Sequence, residues 1–321
     1  MTLNALAHLY DPELDAERLD EDTEVDDILR GAVDMHVHPS PSPFPRRIGI
    51  LDAARDAAEQ GFSALVVKSH HASMQTDVLA LQSAGLADVD IRVVSGVALN
   101  RTIGGLNPYA VELFLALGAK VVWFPTISSR AHIDFHHVHH DSRFPTTDLG
   151  LREHEPISIL GDDGRLRPEV HDIFEVIRER GGVLNAGHLP AEEIDVLVPA
   201  AHRAGIERIV ISHPTFIIGA SPERCAEWVR NGATVEHCLA LAVGRADSPL
   251  TQEQLEPYLA ACGVEGTVFS SDLGQAHSIL PVTGFRRIVR RLLDAGHAAD
   301  DVHRMVATNG RRLLGLDGSD A

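Results

Sequence analysis

The chain has 321 residues, 44% of them hydrophobic, with 26 glycines and 17 prolines, which excludes collagen-like and disordered chains and suits one large globular unit. Its formal net charge of -18 argues against nucleic acid as a partner, because a phosphate backbone requires a basic surface. Three cysteines, Cys225, Cys238 and Cys262, form no CxxC pair, so neither a disulfide framework nor a cysteine zinc site is expected, and they read as small buried hydrophobes.

No apolar run approaches the roughly 20 residues of a membrane span, and the first residues lack the basic and apolar regions of a signal peptide, so no membrane partner and a cytoplasmic location are expected. Asp11 to Asp27 carry ten acidic side chains among few apolar ones. Residues 1–30 therefore read as a solvated, partly helical acidic lead-in to one domain over 31–321.

An alternation of strands and helices follows. The first strand is Ala32 to His38, and a helix runs from Ile48 to Gln60, stopped by Gly61. The second strand, Ser63 to His70, leads through a helix near Gln75 to Ser83 to the third, Ile91 to Asn100. A helix from Pro108 to Gly118 precedes the fourth strand, Lys120 to Thr126. Ile127 to Arg167 shows no sustained period and is rich in histidine, including His132, His136, His137, His139, His140 and His154. A loop of that length inside a domain is often functional. The alternation resumes with a helix Pro168 to Arg180 and strands Val183 to His188, Arg208 to His213, Ala233 to Cys238 and Gly266 to Asp272, separated by helices Ala191 to Ala204, Pro222 to Arg230 and Gln252 to Ala261. Two helices, Val282 to Ala295 and Ala299 to Gly310, close the chain. Eight strands alternating with helices predict an α/β fold, a (β/α)8 TIM barrel with a long loop after the fourth strand. A doubly wound open sheet would carry a glycine-rich phosphate turn after the first strand, where HVHPSPSP stands instead.

In such a barrel the C-terminal strand ends converge on one face. Those ends carry His36 and His38, Lys68 and His70, Asn100 and Arg101, Thr126, His188, His213, Glu236 and His237, and Asp272. His36 and His38 share a strand face at period 2. Five such groups buried without partners would cost about 5–15 kcal/mol, as much as a typical folding stability. Coordination removes that cost, so His36, His38, His188 and Asp272, with His213 as ligand or supporting group, are expected to hold a divalent metal. Imidazole and carboxylate donors favour zinc, with manganese or iron as alternatives.

HVH at His36 and His38, AGH at His188, SHPT at His213, SSD at Asp272 and the closing VATNGRRLLGL together resemble the amidohydrolase superfamily of metal-dependent barrels. The resemblance runs in order along nearly the whole chain. It implies that His36, His38, His188 and Asp272 hold a metal, that His213 serves a second metal or the substrate, and that Asp272 takes a proton from the attacking water. One or two metals per chain fit it. Members with two metals usually bridge them with a carboxylated lysine or a glutamate from the fourth strand, which here ends WFPT with neither. Lys68, on the second strand, is either a carbamate bridge or a cation that holds a substrate carboxylate.

Asn100, Arg101, Arg130 and His132 are candidates for gripping an anionic or carbonyl-bearing small molecule, and His70 and His237 for the substrate side of the site. Glu236 and His237 alternate faces, so one of them reaches the site. His71 has the wrong parity for a ligand and reads as packing. HHVHH, His136 to His140, reads as a lid element or an adventitious metal binder. The expected reaction is metal-assisted hydrolysis of an amide, cyclic amide, ester or lactone. Decarboxylation or deamination on the same barrel is the alternative, and a non-catalytic metal-binding protein the third reading. Nothing in the sequence opposes a homo-oligomer.

Overall fold

The computed structural model describes residues 6–139, 147–244 and 248–316. Eight strands form one parallel sheet in sequence order: β1 (Val33–Val37), β2 (Ala64–Val67), β3 (Arg92–Ala98), β4 (Val121–Trp123), β5 (Val183–Asn185), β6 (Ile209–Ser212), β7 (Ala233–Cys238) and β8 (Thr267–Ser270). The sheet closes just beyond the ends of β1 and β8. There Val37 bridges Leu273, the Asp272 amide donates to the His36 carbonyl at 2.7 Å, and the His38 amide to the Leu273 carbonyl at 2.8 Å. The fold is the expected (β/α)8 barrel, and each strand lies within its predicted span.

Both faces of the sheet are apolar, as an all-parallel sheet requires. Val33, Ala64, Val66, Val121, Trp123 and Val268 fill the barrel interior, while Val37, Leu65, Val67, Val122, Leu184 and Ile211 meet the surrounding helices. Val33 and Met35 lie inside and Val37 outside. The face therefore changes within β1, where its register against β2 slips between Asp34 and Val37. That irregularity turns His36 and His38 toward the barrel mouth. Among the described residues, no helix is long and apolar enough to cross a membrane.

The acidic N-terminal segment is not the solvated lead-in its composition suggests. Leu6, Val25, Ile28 and Leu29 are buried in the same apolar layer as Phe285, Ile288 and Leu292 of the helix Pro281–Asp294. Its acids pair with that helix's arginines: Asp26 with Arg286, Glu17 with Arg287 at 2.7 Å, and Asp22 with Arg290 at 2.5 Å. Asp15 is fully buried, accepts from the Leu280 amide at 2.8 Å and the Thr283 hydroxyl at 3.0 Å, and pairs with Arg47. Asp15→Ala leaves Arg47 without its buried counter-charge and is expected to destabilise the fold by about 3–5 kcal/mol, read from the urea midpoint. An unchanged midpoint would show that the segment does not clamp the barrel.

The stretch after β4 also differs from expectation, because it contains a helix, Arg130–His139. Of the histidine cluster there, His140 lies outside the described residues.

Candidate metal centre

The site is built on backbone features that bring the strand ends into register. The Asp34 carboxylate, buried beneath the site, accepts the His36 amide at 3.1 Å and the Ser271 amide at 2.8 Å, tying the ends of β1 and β8 together. Burial pushes its carboxyl up to about 7. His213 and Asp272 have positive φ, +32° and +50°, a conformation costing about 1–3 kcal/mol in a non-glycine residue. Outward residues of β6, Ile209 and Ile211, share the parity of His213, so strict alternation would turn it away. With the left-handed turn its ring lies 4.7 Å from that of His188 and 6.3 Å from that of His36. Gly187 (φ +61°) precedes His188, and a Cβ there would stand 2.2 Å from the Phe124 carbonyl oxygen, so no side chain fits.

At the centre, His36 Nε2 and His38 Nε2 lie 3.2 Å apart, and Asp272 Oδ1 lies 3.3 Å from the first and 3.1 Å from the second. His38 Nδ1 faces the Lys68 carbonyl at 3.1 Å. A carbonyl only accepts, so Nδ1 carries the proton and Nε2 presents a lone pair. His36 Nδ1 faces Glu236 Oε2 at 3.5 Å, which assigns its tautomer in the same way. Two lone pairs and a carboxylate oxygen thus point at one another, an arrangement that a cation stabilises. Tetrahedral ligands held at about 2.0–2.1 Å stand roughly 3.3–3.4 Å apart, close to the observed triangle. Lys68 Nζ, 2.9 Å from His36 Nε2 and 5.1 Å from the Trp123 ring centre, is the cation within reach.

Electrostatics agree with this geometry. Burial lowers His38 to about 3, His213 to about 4 and Lys68 to about 8, and holds His70 and His188 well below the usual imidazole value. These imidazoles are neutral donors at pH 7. Burial alone would raise the Asp272 carboxyl. Its imidazole neighbours, His36 foremost, outweigh burial and hold the carboxyl well below the usual carboxylate range.

The remaining predicted residues divide. His70 stacks on His38 with centroids 4.8 Å apart, and its Nδ1 lies 2.9 Å from Thr126 Oγ1. His188 Nδ1 lies 3.0 Å from His132 Nδ1, with the two rings stacked. Asn100 does not present a free amide to a substrate. Its Nδ2 donates to the His70 carbonyl and Thr126 Oγ1, and its Oδ1 accepts the Thr126 and Ser128 amides. Arg101 is exposed and donates to the Glu155 and Pro156 carbonyls, so it ties down the long loop rather than entering the site. Arg130 is exposed at the start of its helix. His237 faces away from the site, 6.1 Å from the Tyr258 ring and 5.8 Å from Phe269. Glu236 is the member of that pair that reaches inward, where it accepts from Ser212.

Two residues near the centre carry no sequence motif. Cys238 Sγ lies 3.9 Å from His36 Nδ1, and period 2 from Glu236 is the signal that would have found it. Arg46, in the turn after β1, forms an isolated bridge with Gln275. Its guanidinium lies over the Phe44 ring at 5.8 Å, its Nε and Nη1 are buried without hydrogen-bond partners, and its charge is felt by Asp272 and His38.

Residues 31–236 match the model of a family described as a family of unknown function (DUF6282). No curated protein matches the sequence. Among solved structures, an amidohydrolase from Pseudomonas aeruginosa is 12% identical with a TM-score of 0.60, over 91% of this chain and 98% of that one. A beta-aspartyl dipeptidase from Fervidobacterium islandicum is 14% identical with a TM-score of 0.57, over 89% and 73% of the two chains. An organophosphorus hydrolase from Deinococcus radiodurans is 16% identical with a TM-score of 0.54, over 89% and 92%. At these identities the shared property is the fold.

Proposed function

This chain belongs to the family of unknown function DUF6282, and we propose that it is a metal-dependent hydrolase of the amidohydrolase type, acting on an amide, cyclic amide, ester or lactone bond of a small anionic molecule. The observation that carries this reading is the triangle of His36 Nε2, His38 Nε2 and Asp272 Oδ1, three acceptors within 3.3 Å of one another. The barrel shared with hydrolases of several kinds supports it. His36, His38 and Asp272 would hold the metal, with His188 and His213 beside them, and zinc suits the donors best. A divalent cation there supplies a lowered pKa for water and polarisation of the scissile carbonyl.

The protein's own residues do the rest. Asp272, ionised and 20% exposed, takes the proton of the attacking water and passes it to the leaving group. Lys68, with Nζ 2.9 Å from His36 Nε2 and lowered by burial to about 8, would serve either as a carbamate bridge, its neutral amine forming a C–N bond to carbon dioxide and releasing one proton, or as a cation for a substrate carboxylate. Asn100 and Thr126 hold His70 against His38 and so fix the ring's orientation.

Arg46 is the guanidinium we assign to the substrate's anionic group, since buried N–H groups without partners cost about 1–3 kcal/mol each until an acceptor arrives. Arg46→Gln is expected to raise KM for a carboxylate-bearing substrate by about tenfold or more, and Arg46→Lys to restore part of it, because lysine keeps the charge but not the fork. Equal KM values in all three proteins would remove Arg46 from this role. The function itself is tested by adding zinc, manganese or iron to the protein and screening lactones, cyclic imides, N-acyl amino acids and carboxylated aromatics. Cleavage products support hydrolysis, and carbon dioxide or ammonia without cleavage into two organic fragments would replace it.

A further inference from the structure

The three cysteines sit in two different environments. Cys225 and Cys262 are free thiols in the apolar layer between strands and helices, hydrogen-bonded to each other. Cys238, the last residue of β7, is 2% exposed and stands among ionisable groups. Its sulfur lies 3.9 Å from His36 Nδ1, and its surroundings carry the charges of Glu236, Asp272 and Lys68. A small hydrophobe gains nothing from such neighbours.

The ligand atoms of His213, Cys238 and Asp272 all lie within 4.8 Å of one another, as do those of His36, Glu236 and Cys238. His213 supplies an independent observation. It is 3% exposed, it is turned onto this cluster by its positive φ, and its Nδ1 has no hydrogen-bond partner. A buried ring with an unpartnered nitrogen, grouped with a thiol and a carboxylate, would gain a partner from a cation.

We propose that Cys238 is a metal ligand, and that with His213 and Asp272 it forms a second cation position sharing Asp272 with the His36–His38–Asp272 position. The inference rests on the metal reading above and extends it to the kind of metal held. On binding, the Cys238 S–H bond is lost, its proton leaves to solvent and a sulfur–metal bond forms. A sulfur, nitrogen and oxygen donor set selects zinc, cobalt or iron over manganese and magnesium. Parity on β7 explains the placement: Glu236 and Cys238 share the inward face, while His237 between them packs outward.

Cobalt(II) added to the metal-stripped protein tests this without reference to turnover. The expected result is a sulfur-to-cobalt charge-transfer band in the near ultraviolet beside the visible d–d bands, with about two cobalt per chain. Cys238→Ser is expected to lose the band and fall to about one cobalt per chain, while the double variant Cys225→Ser, Cys262→Ser keeps both. X-ray absorption of the unmodified zinc-loaded protein, which requires no variant, is expected to contain one sulfur at about 2.3 Å. Bound cobalt with d–d bands but no charge-transfer band, a band that survives Cys238→Ser, or a zinc spectrum without sulfur would each overturn the thiolate ligand and leave the first position intact. Failure to bind any cobalt would overturn both.

Discussion

Asp272→Asn is expected to lower turnover of any substrate the protein cleaves by roughly 10²–10⁴-fold while the chain stays folded and keeps most of its metal. The effect is large because the proposed mechanism gives Asp272 two tasks. Its Oδ1 closes the triangle with His36 Nε2 and His38 Nε2, and its negative charge is the base. Asparagine retains an oxygen for the first task and has nothing for the second. The backbone is undisturbed, since asparagine tolerates the positive φ found at this position. Turnover within a few-fold of the parent, at equal metal content, would assign the proton transfer elsewhere.

Acid is expected to unfold the metal-stripped protein well before it titrates ordinary carboxylates. Burial lowers His38 to about 3, His132 to about 2, His213 and His237 to about 4, and His70 and His188 well below their usual value. An unfolded imidazole titrates near about 6.5. Below that pH the unfolded chain binds protons that the folded chain refuses, so stability is full above about 6.5 and falls steadily as pH drops toward about 4. Each such group loses about 1.4 kcal/mol one pH unit below its unfolded value. Asp34, pushed up to about 7, opposes them because it takes up its proton in the folded state first. The net loss at about pH 5.5 is on the order of 5–8 kcal/mol, the size of a typical total stability. Urea unfolding of the stripped protein at about pH 7.5 and pH 5.5 measures it. Equal midpoints would mean that these imidazoles are not buried neutral. Metal loading is expected to shift the fall to lower pH, since ligands must be deprotonated to bind.

Much of this was legible in the sequence. The strand and helix rhythm dictated the barrel because period and punctuation are local signals, and the HVH, AGH, SHPT and SSD motifs mark four of the strand ends that meet at the barrel mouth. What escaped depends on distant or irregular backbone. The acidic segment looked solvated because its arginine partners lie far along the chain, Asp26 and Arg286 being 260 residues apart. His36 and His38 face inward only because β1 slips register below them, and His213 only because of a left-handed turn. Asn100 and Arg101 read as substrate groups because their polar valence is visible in the sequence while the loops that consume it are not. His237 and Cys238 were decidable from parity on β7 once one inward residue was known, and Glu236 supplies it.

The central claim is that His36, His38 and Asp272 enclose a metal, and elemental analysis of the purified, dialysed protein tests it most directly. The account predicts at least one zinc, iron or manganese per chain, lost in His38→Ala while the barrel stays folded. A folded parent protein that carries no transition metal, and takes up none when each is supplied at neutral pH, would contradict it.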